Sequence, residues 1–186
     1  DTVALSAYVT KEEGRVKGPY FAGRKEMYNS KLANNSLRNW QKELFDTLIT
    51  EQDKFKDRKV LWVEDMCGNT GKSWFQKWLR IGQKQLEVRQ LPVSSVDRLI
   101  SAVSIISRNI EVDVYTIDLT RTKGEGQSYE DLFSAIEQIK NGYVVDVMYG
   151  KYNEAIFNPP MIVIFTNQRI DDFYNYLSND RWEEFS

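Results

Sequence analysis

The chain has 186 residues, 41% hydrophobic and 13% aromatic, enough apolar surface for one domain of ordinary size and too much for a disordered chain. Its 25 Lys+Arg against 27 Asp+Glu leave a net charge of −2, which excludes a basic nucleic-acid glove; any such contact must come from a few placed residues. With no histidine and one cysteine, Cys67, imidazole bases and internal disulfides are excluded and a zinc-type site nearly so.

Residues 1–29 carry glycines, one proline and mixed charge, with a short possible strand at 3–9; they read as the end of another unit joined by a loop. Asp1 in place of an initiator methionine makes the chain read as a piece of something longer. From Asn35 or Ser36 as N-cap, Leu37, Trp40, Leu44 and Leu48 recur at helical spacing, with Phe45 and Ile49 widening the stripe. Such a stripe packs on the following domain or on a neighbouring subunit. Residues 53–59 read as a charged connector.

An apolar run begins at Val60 and reads as a buried strand, and residues 74–79 continue with helical spacing. Between them lies Met66-Cys67-Gly68-Asn69-Thr70-Gly71-Lys72-Ser73. A strand, a glycine-bearing turn ending in Gly-Lys-Ser and a helix form the setting of a phosphate-binding loop, in which backbone N–H groups and a helix N-terminus face one polyphosphate. Gly68, Asn69, Thr70, Gly71, Lys72 and Ser73 are the candidate nucleotide-binding residues. Lys72 would reach the β/γ-phosphates, and the Ser73 hydroxyl would hold Mg²⁺. Met66 stands where the strict pattern has its first glycine.

Further along, residues 86–91 read as a strand ended by Pro92, residues 94–107 as a helix and residues 112–119 as a strand running into Asp118. A loop at 122–127 precedes a helix capped by Ser128 and stopped at Asn141-Gly142. Residues 144–157 read as a hairpin turning near Gly150, residues 161–165 as a strand buried on both faces and followed by Asn167, and residues 171–177 as a short helix. Strands alternating with helices indicate an α/β domain with a mostly parallel central sheet, whose ligands bind beyond the carboxyl ends of the strands. The phosphate loop, Asp118 and Asn167 all fall there. Asp118 fits the acid that holds Mg²⁺, Asn167 can orient a water against the γ-phosphate, and Arg181 could serve a neighbouring subunit's nucleotide.

Together these segments resemble the superfamily 3 helicase domain of the replication-initiator (Rep) proteins of circular single-stranded DNA viruses and related plasmids. Gly71-Lys72-Ser73 is similar to that family's Walker A, residues 116–121 to its Walker B and residues 162–167 to its motif C. Residues 149–157 resemble its DNA-contacting hairpin and residues 177–182 its arginine-finger region.

The resemblance implies an AAA+-like P-loop NTPase at 59–186, preceded by a helical oligomerisation segment at 30–58. It implies ATP and Mg²⁺ as cofactors, single-stranded DNA as partner and a homo-oligomeric, hexameric ring in the host nucleus or cytoplasm. Lys72, Asp118, Asn167 and Arg181 would be catalytic, with Ser73 and Asp118 on the metal. Lys151, Tyr149 and Tyr152 would face DNA. Tyr8 and Lys11 resemble the Tyr-x-x-Lys of the HUH endonuclease domain that precedes such helicases, whose metal needs histidines this chain lacks, so nicking is not expected.

Two departures, Met66 and a single Walker B acid between Ile117 and Leu119, leave open a catalytically impaired oligomerisation and DNA-binding platform. Glu64 or Asp65 could supply the missing acid. A nucleotide kinase, with Arg80 and Arg89 on a lid, is the other enzyme that Gly-Lys-Ser admits.

Overall fold

The computed structural model describes residues 30–33, 35–119, 128–150 and 152–185. The expectations for Tyr8, Lys11 and the strand at 3–9, for the loop at 122–127 and for Lys151 lie outside the described residues.

Among the described residues, three helices come first: α1 (Ser30–Ala33), α2 (Asn39–Thr50) and α3 (Gln52–Asp57). Strands and helices then alternate as β1 (Val60–Glu64), α4 (Lys72–Ile81), β2 (Val88–Leu91), α5 (Val96–Ser107), β3 (Val114–Leu119) and α6 (Tyr129–Lys140). The hairpin strands β4 (Tyr143–Asp146) and β5 (Asn153–Ile156), then β6 (Met161–Thr166) and β7 (Trp182–Phe185), complete the chain.

The central sheet has the order β2-β3-β6-β1-β7, and all its strands are parallel. The hairpin β4–β5 is an antiparallel pair outside it. A strand thus lies between β1, which leads into the Gly-Lys-Ser turn, and β3, which carries Asp118. The α/β expectation with a mostly parallel sheet holds, with a helical segment before it.

Side chains alternate between the two sheet faces, and each face builds its own core. Trp62, Tyr115, Ile117, Ile162 and Ile164 pack toward α5, α6 and the hairpin. Leu61, Val63, Val114, Val163 and Phe165 pack toward α2 and α4, meeting Leu44, Leu48, Phe75 and Leu79. Full burial of one such Leu or Phe is worth about 2 kcal/mol.

Of the two packings open to the α2 stripe, the one inside this chain is found, since Leu44 and Leu48 are fully buried against the α4 core. Other sequence expectations need correction. The helix begins at Asn39 rather than after Asn35 or Ser36: Arg38 is the cap, and the Gln41 side chain accepts from its backbone N–H at 3.0 Å. The charged connector at 53–59 is the helix α3, which turns Phe55 into the core. Residues 171–177 form a 3-10 turn at Ile170–Asp172 followed by irregular turns, although Ile170, Phe173 and Leu177 recur at helical spacing and are buried in the core. The final strand β7 escaped notice because its Trp-Glu-Glu-Phe carries two charges; it pairs with β1 as an edge strand, Val60 opposite Trp182.

Candidate functional site

Period-two alternation decides which polar residues meet. On β1, Leu61 and Val63 face α4, and the next residue of that parity is Asp65. On β3, Val114 faces α4, and Thr116 and Asp118 follow at the same parity; on β6, Met161, Val163 and Phe165 lead to Asn167. Three apolar strands therefore each deliver one polar side chain, at the carboxyl edge, to the side where α4 begins. Asp65, Lys72, Ser73, Asp118 and Asn167 line one open cavity of about 420 Å³.

The loop between β1 and α4 takes its shape from an internal carboxylate. Asp65 Oδ1 accepts from the backbone N–H of Cys67 at 3.2 Å and of Gly68 at 2.9 Å, and Oδ2 accepts from the Thr70 hydroxyl at 2.5 Å. Gly68 (φ 73°), Asn69 (φ 57°) and Gly71 (φ 90°) make the left-handed turns. Met66 lies outside that set and is half exposed, so the backbone needs no glycine there. The departure at Met66 thus leaves the loop intact, turned two residues later. Burial works to raise the Asp65 pKa, but the Thr70 hydroxyl, the Gly68 N–H and Lys72 outweigh it and hold the carboxyl below its usual range.

Lys72 opens α4 and is held from three sides. Its Nζ donates to Thr166 O at 2.7 Å and to Asn167 Oδ1, and lies 3.4 Å from Asp65 Oδ2. The ammonium that a polyphosphate would need is thus engaged by Thr166 O and by Asp65 and Asn167, the last two of which line the same cavity.

Asp118 has a partner that sequence reading missed. Gln76, one turn beyond Ser73 on α4, is buried and donates from Nε2 to Asp118 Oδ2 at 3.2 Å, while its Oε1 is buried without a partner among the described residues. The signal was available in retrospect: a glutamine on the otherwise apolar inward face of an amphipathic helix calls for a polar partner. Ser73 and Asp118 offer the hydroxyl and carboxylate oxygens that a hard divalent cation takes, and they fit Mg²⁺. Of the two expected substitutes for a second acid, Asp65 lines the cavity but is committed to the loop. Glu64 lines a smaller cavity of about 170 Å³ behind it, with Trp40 and Phe185.

The loop is also held from behind. Arg38 Nη1 donates to Asn69 O, Trp40 Nε1 to Thr70 O and Gln41 Nε2 to Gly71 O, each at 3.3 Å. These three contacts come from the start of α2, a segment read from sequence only as an apolar stripe.

The remaining expected residues lie elsewhere. Arg181 precedes β7 beside the start of β1, at the opposite end of the sheet from the loop, 3.6 Å from Glu137 and with its Nε buried without a partner among the described residues. It does not approach this chain's own cavity. Tyr149 (89% exposed) and Tyr152 (68%) stand on the hairpin turn. The Tyr152 and Tyr143 hydroxyls both donate to Glu154 Oε1, at 2.7 and 2.8 Å, and that carboxylate pushes the Tyr152 pKa up to about 12. Arg80 and Arg89 converge on Glu87 rather than forming a lid, which removes the support for a kinase.

A parallel sheet with a strand between the loop strand and the Asp118 strand, a Gly-Lys-Ser loop opening a helix, and a polar residue at the end of the intervening strand define an AAA+-like P-loop NTPase fold. No family model matches the chain. Its homologues are Para-Rep proteins of alphasatellites. Para-Rep C1 of the Faba bean necrotic yellows C1 alphasatellite is 25% identical over 95% of this chain and 71% of its own length. Para-Rep C6 of the Subterranean clover stunt C6 alphasatellite is 29% identical over 80% of this chain and 47% of its own length. Para-Rep C2 of the Subterranean clover stunt C2 alphasatellite is 27% identical, covering 91% and 57%. The chain therefore spans between about half and 71% of these relatives. Among solved structures, a Thermotoga maritima RuvB P216G mutant overlays at TM-score 0.42 with 17% identity, covering 86% of this chain and 49% of that one. A DNA replication initiation factor overlays at 0.37 with 13% identity, covering 86% and 50%.

Proposed function

We propose that the chain is the ATPase motor domain of a Rep-type replication initiator of the superfamily 3 kind. It hydrolyses ATP with Mg²⁺ and, as a ring of identical copies, moves along single-stranded DNA. The observation that carries this reading is the convergence of Lys72, Asp118 and Asn167 on the face of α4 at one loop cavity.

The residues divide the work by chemistry. The loop N–H groups and Lys72 would take the phosphate charge, and Ser73 and Asp118 would hold the ion, which would supply neutralising charge for the phosphoryl oxygens. In the unliganded chain the Asn167 amide oxygen accepts from Lys72. When Lys72 turns to a triphosphate, that oxygen is released and can orient the attacking water. Arg181 reaches no group of its own site; its guanidinium is nearly covered beside Glu137, and serving a neighbouring copy would require it to turn out from that long contact. DNA would meet the hairpin turn at exposed Tyr149, and Lys151, two positions further along the sequence, would add a phosphate contact; a ring multiplies one weak contact by its number of copies.

A second reading, a platform that binds nucleotide and DNA without turnover, has one observation in its favour. The carboxylates among the described lining residues are Asp65 and Asp118, and Asp65 is already committed to the loop. ATP hydrolysis measured across protein concentration, with and without single-stranded DNA, beside Lys72→Ala and Asn167→Ala, separates the two. Turnover that DNA stimulates and both variants lose supports the motor. Nucleotide binding without turnover at any concentration supports the platform.

A further inference from the structure

The three contacts from the start of α2 fall on three consecutive peptide groups. Because a trans peptide is planar, its C=O and N–H point in opposite directions. Holding the carbonyls of Asn69 and Thr70 toward α2, with Gly71 O held jointly by Gln41 and by the Phe75 N–H of α4 at 2.9 Å, therefore turns the N–H groups of Thr70, Gly71 and Lys72 away from them, toward the cavity those residues line. Those are the amides a phosphate loop must present.

The fit behind the loop is close. A Cβ added at Gly71 would come within 3.1 Å of Gln41 Nε2, so the Gln41 amide lies directly against the backbone it holds. Gln41 is 1% exposed and fixed by its own bond from Arg38 N–H. Trp40 is fixed by an edge-on contact with Phe75, ring centroids 5.3 Å apart.

Resting on the triphosphatase reading above, we propose that Arg38, Trp40 and Gln41 are positioning residues that lock the loop in its phosphate-accepting conformation, so that the triphosphate affinity of the site is set from α2. The fraction of chains with all three amides turned to the cavity scales the apparent affinity, and losing the clamp lowers that fraction without altering Lys72, Asp118 or Asn167. Saturating nucleotide restores the conformation. The signature is a raised KM with kcat preserved, which a general loss of stability does not produce. Any partner that shifts α2 would change nucleotide affinity through the same three bonds.

The test uses Trp40→Phe, which keeps the ring on Phe75 and removes the donor, and Gln41→Glu, which keeps the acceptor for Arg38 N–H and sets an acceptor against Gly71 O. Trp40→Phe loses one hydrogen bond of ordinary strength and Gln41→Glu replaces another by a buried acceptor–acceptor contact that costs at least as much, so the double variant is expected to raise the half-saturating ATP at least about 10-fold while kcat stays within about twofold. In the unliganded chain, hydrogen exchange at the Cys67 and Gly68 amides, which Asp65 bonds within the loop, should quicken severalfold with the sheet amides unchanged. Leu132→Ala, a cavity on the opposite sheet face, controls for stability and should leave both readings unmoved. A double variant with parental KM and parental loop exchange overturns the clamp, as does a KM rise equal to that of Leu132→Ala. A parent chain that binds no nucleoside triphosphate sinks the triphosphatase reading itself, and the clamp's role in affinity with it.

Discussion

The Lys72 ammonium lies 3.4 Å from the Asp65 carboxylate, and both side chains are nearly covered, 12% and 8% exposed. The residue that shapes the loop is therefore also a rival anion for the lysine that a polyphosphate needs. Separating these two roles predicts opposite outcomes for two substitutions. Asp65→Asn keeps an amide oxygen for the N–H groups of Cys67 and Gly68 but removes the charge, so nucleotide affinity should hold or rise by a few fold. Asp65→Ala frees Lys72 but drops the loop's three hydrogen bonds at about 1 kcal/mol each, and affinity should fall tenfold or more. Calorimetric titration with a non-hydrolysable triphosphate reads both. Equal affinities for the two variants would deny Asp65 its part in shaping the loop. With its carboxyl held below the usual range, Asp65 contributes stability that is present above the ordinary carboxylate pKa and lost as pH falls through its lowered value.

Gln76→Leu removes the donor to Asp118 and a buried, unpartnered oxygen together. These changes offset in stability, because the lost bond is matched by relief of an unsatisfied polar atom, and the melting temperature should move little. Asp118, no longer oriented, should bind its cation less well. Loss of a partner that orients a metal ligand ordinarily costs 10- to 100-fold in metal affinity or activity. The Mg²⁺ concentration for half-maximal hydrolysis should rise within that range. An unchanged Mg²⁺ dependence would mean that Asp118 needs no help from α4.

The order of strands and helices, the loop and the polar residues ending β3 and β6 were legible in the sequence. Each depends on local pattern: an apolar run, a turn signal, a residue of known chemistry one step past the strand. The rest depends on contacts between distant segments. The bonds from Trp40 and Gln41 to Thr70 and Gly71 span 30 residues and that from Gln76 to Asp118 spans 42, and neither periodicity nor propensity carries such pairings. The α2 stripe was visible, but whether it packs within the chain or on a neighbour is decided by Phe75 and Leu79 lying opposite. For β7, pairing with β1 prevails over a polar, charged sequence, as tertiary context commonly does for edge strands.

Lys140 gives the fold a pH dependence of definite sign. It is 3% exposed, and its Nζ donates to Phe55 O, to Lys56 O at 3.1 Å and to Pro160 O at 3.1 Å, tying α3 and the start of β6 to the end of α6. Burial pulls its pKa down to about 8, with Asp57 opposing and Arg181 assisting. Below pH 8 the folded chain bears the full cost of a buried charge. Between 8 and the ordinary 10.5 the folded chain sheds the proton while the unfolded chain keeps it, so stability rises with pH, by about 3 kcal/mol over the whole window. Above pH 10 the trend turns over, because Tyr115, whose pKa burial raises, resists ionisation in the folded chain. Urea unfolding at pH 7, 8, 9 and 10 should show the rise, and Lys140→Met, although less stable, should be flat across it. A parental curve without slope would mean that the three carbonyls keep the ammonium charged.

Arg181 supplies the last prediction, because its setting in one chain is a poor bargain. The guanidinium is nearly covered, its Nε lacks a partner among the described residues, and Glu137, at 3.6 Å, is half exposed. A long ion pair with an exposed partner is worth at most about 1 kcal/mol, and the desolvation of the arginine offsets it. Arg181→Met, which keeps the apolar stem, should therefore unfold within about 1 kcal/mol of the parent. Its effect on turnover should be large if the residue serves a neighbouring copy. Mixing then becomes diagnostic: Arg181→Met retains an intact loop, Lys72→Ala retains an intact arginine, and each is inactive alone. Combined in one ring, a Lys72→Ala copy placed beside an Arg181→Met copy completes the latter's site, and the mixture should hydrolyse ATP where neither component does. A mixture as inactive as its parts, at concentrations where the parent is active, would return Arg181 to a purely structural position beside Glu137.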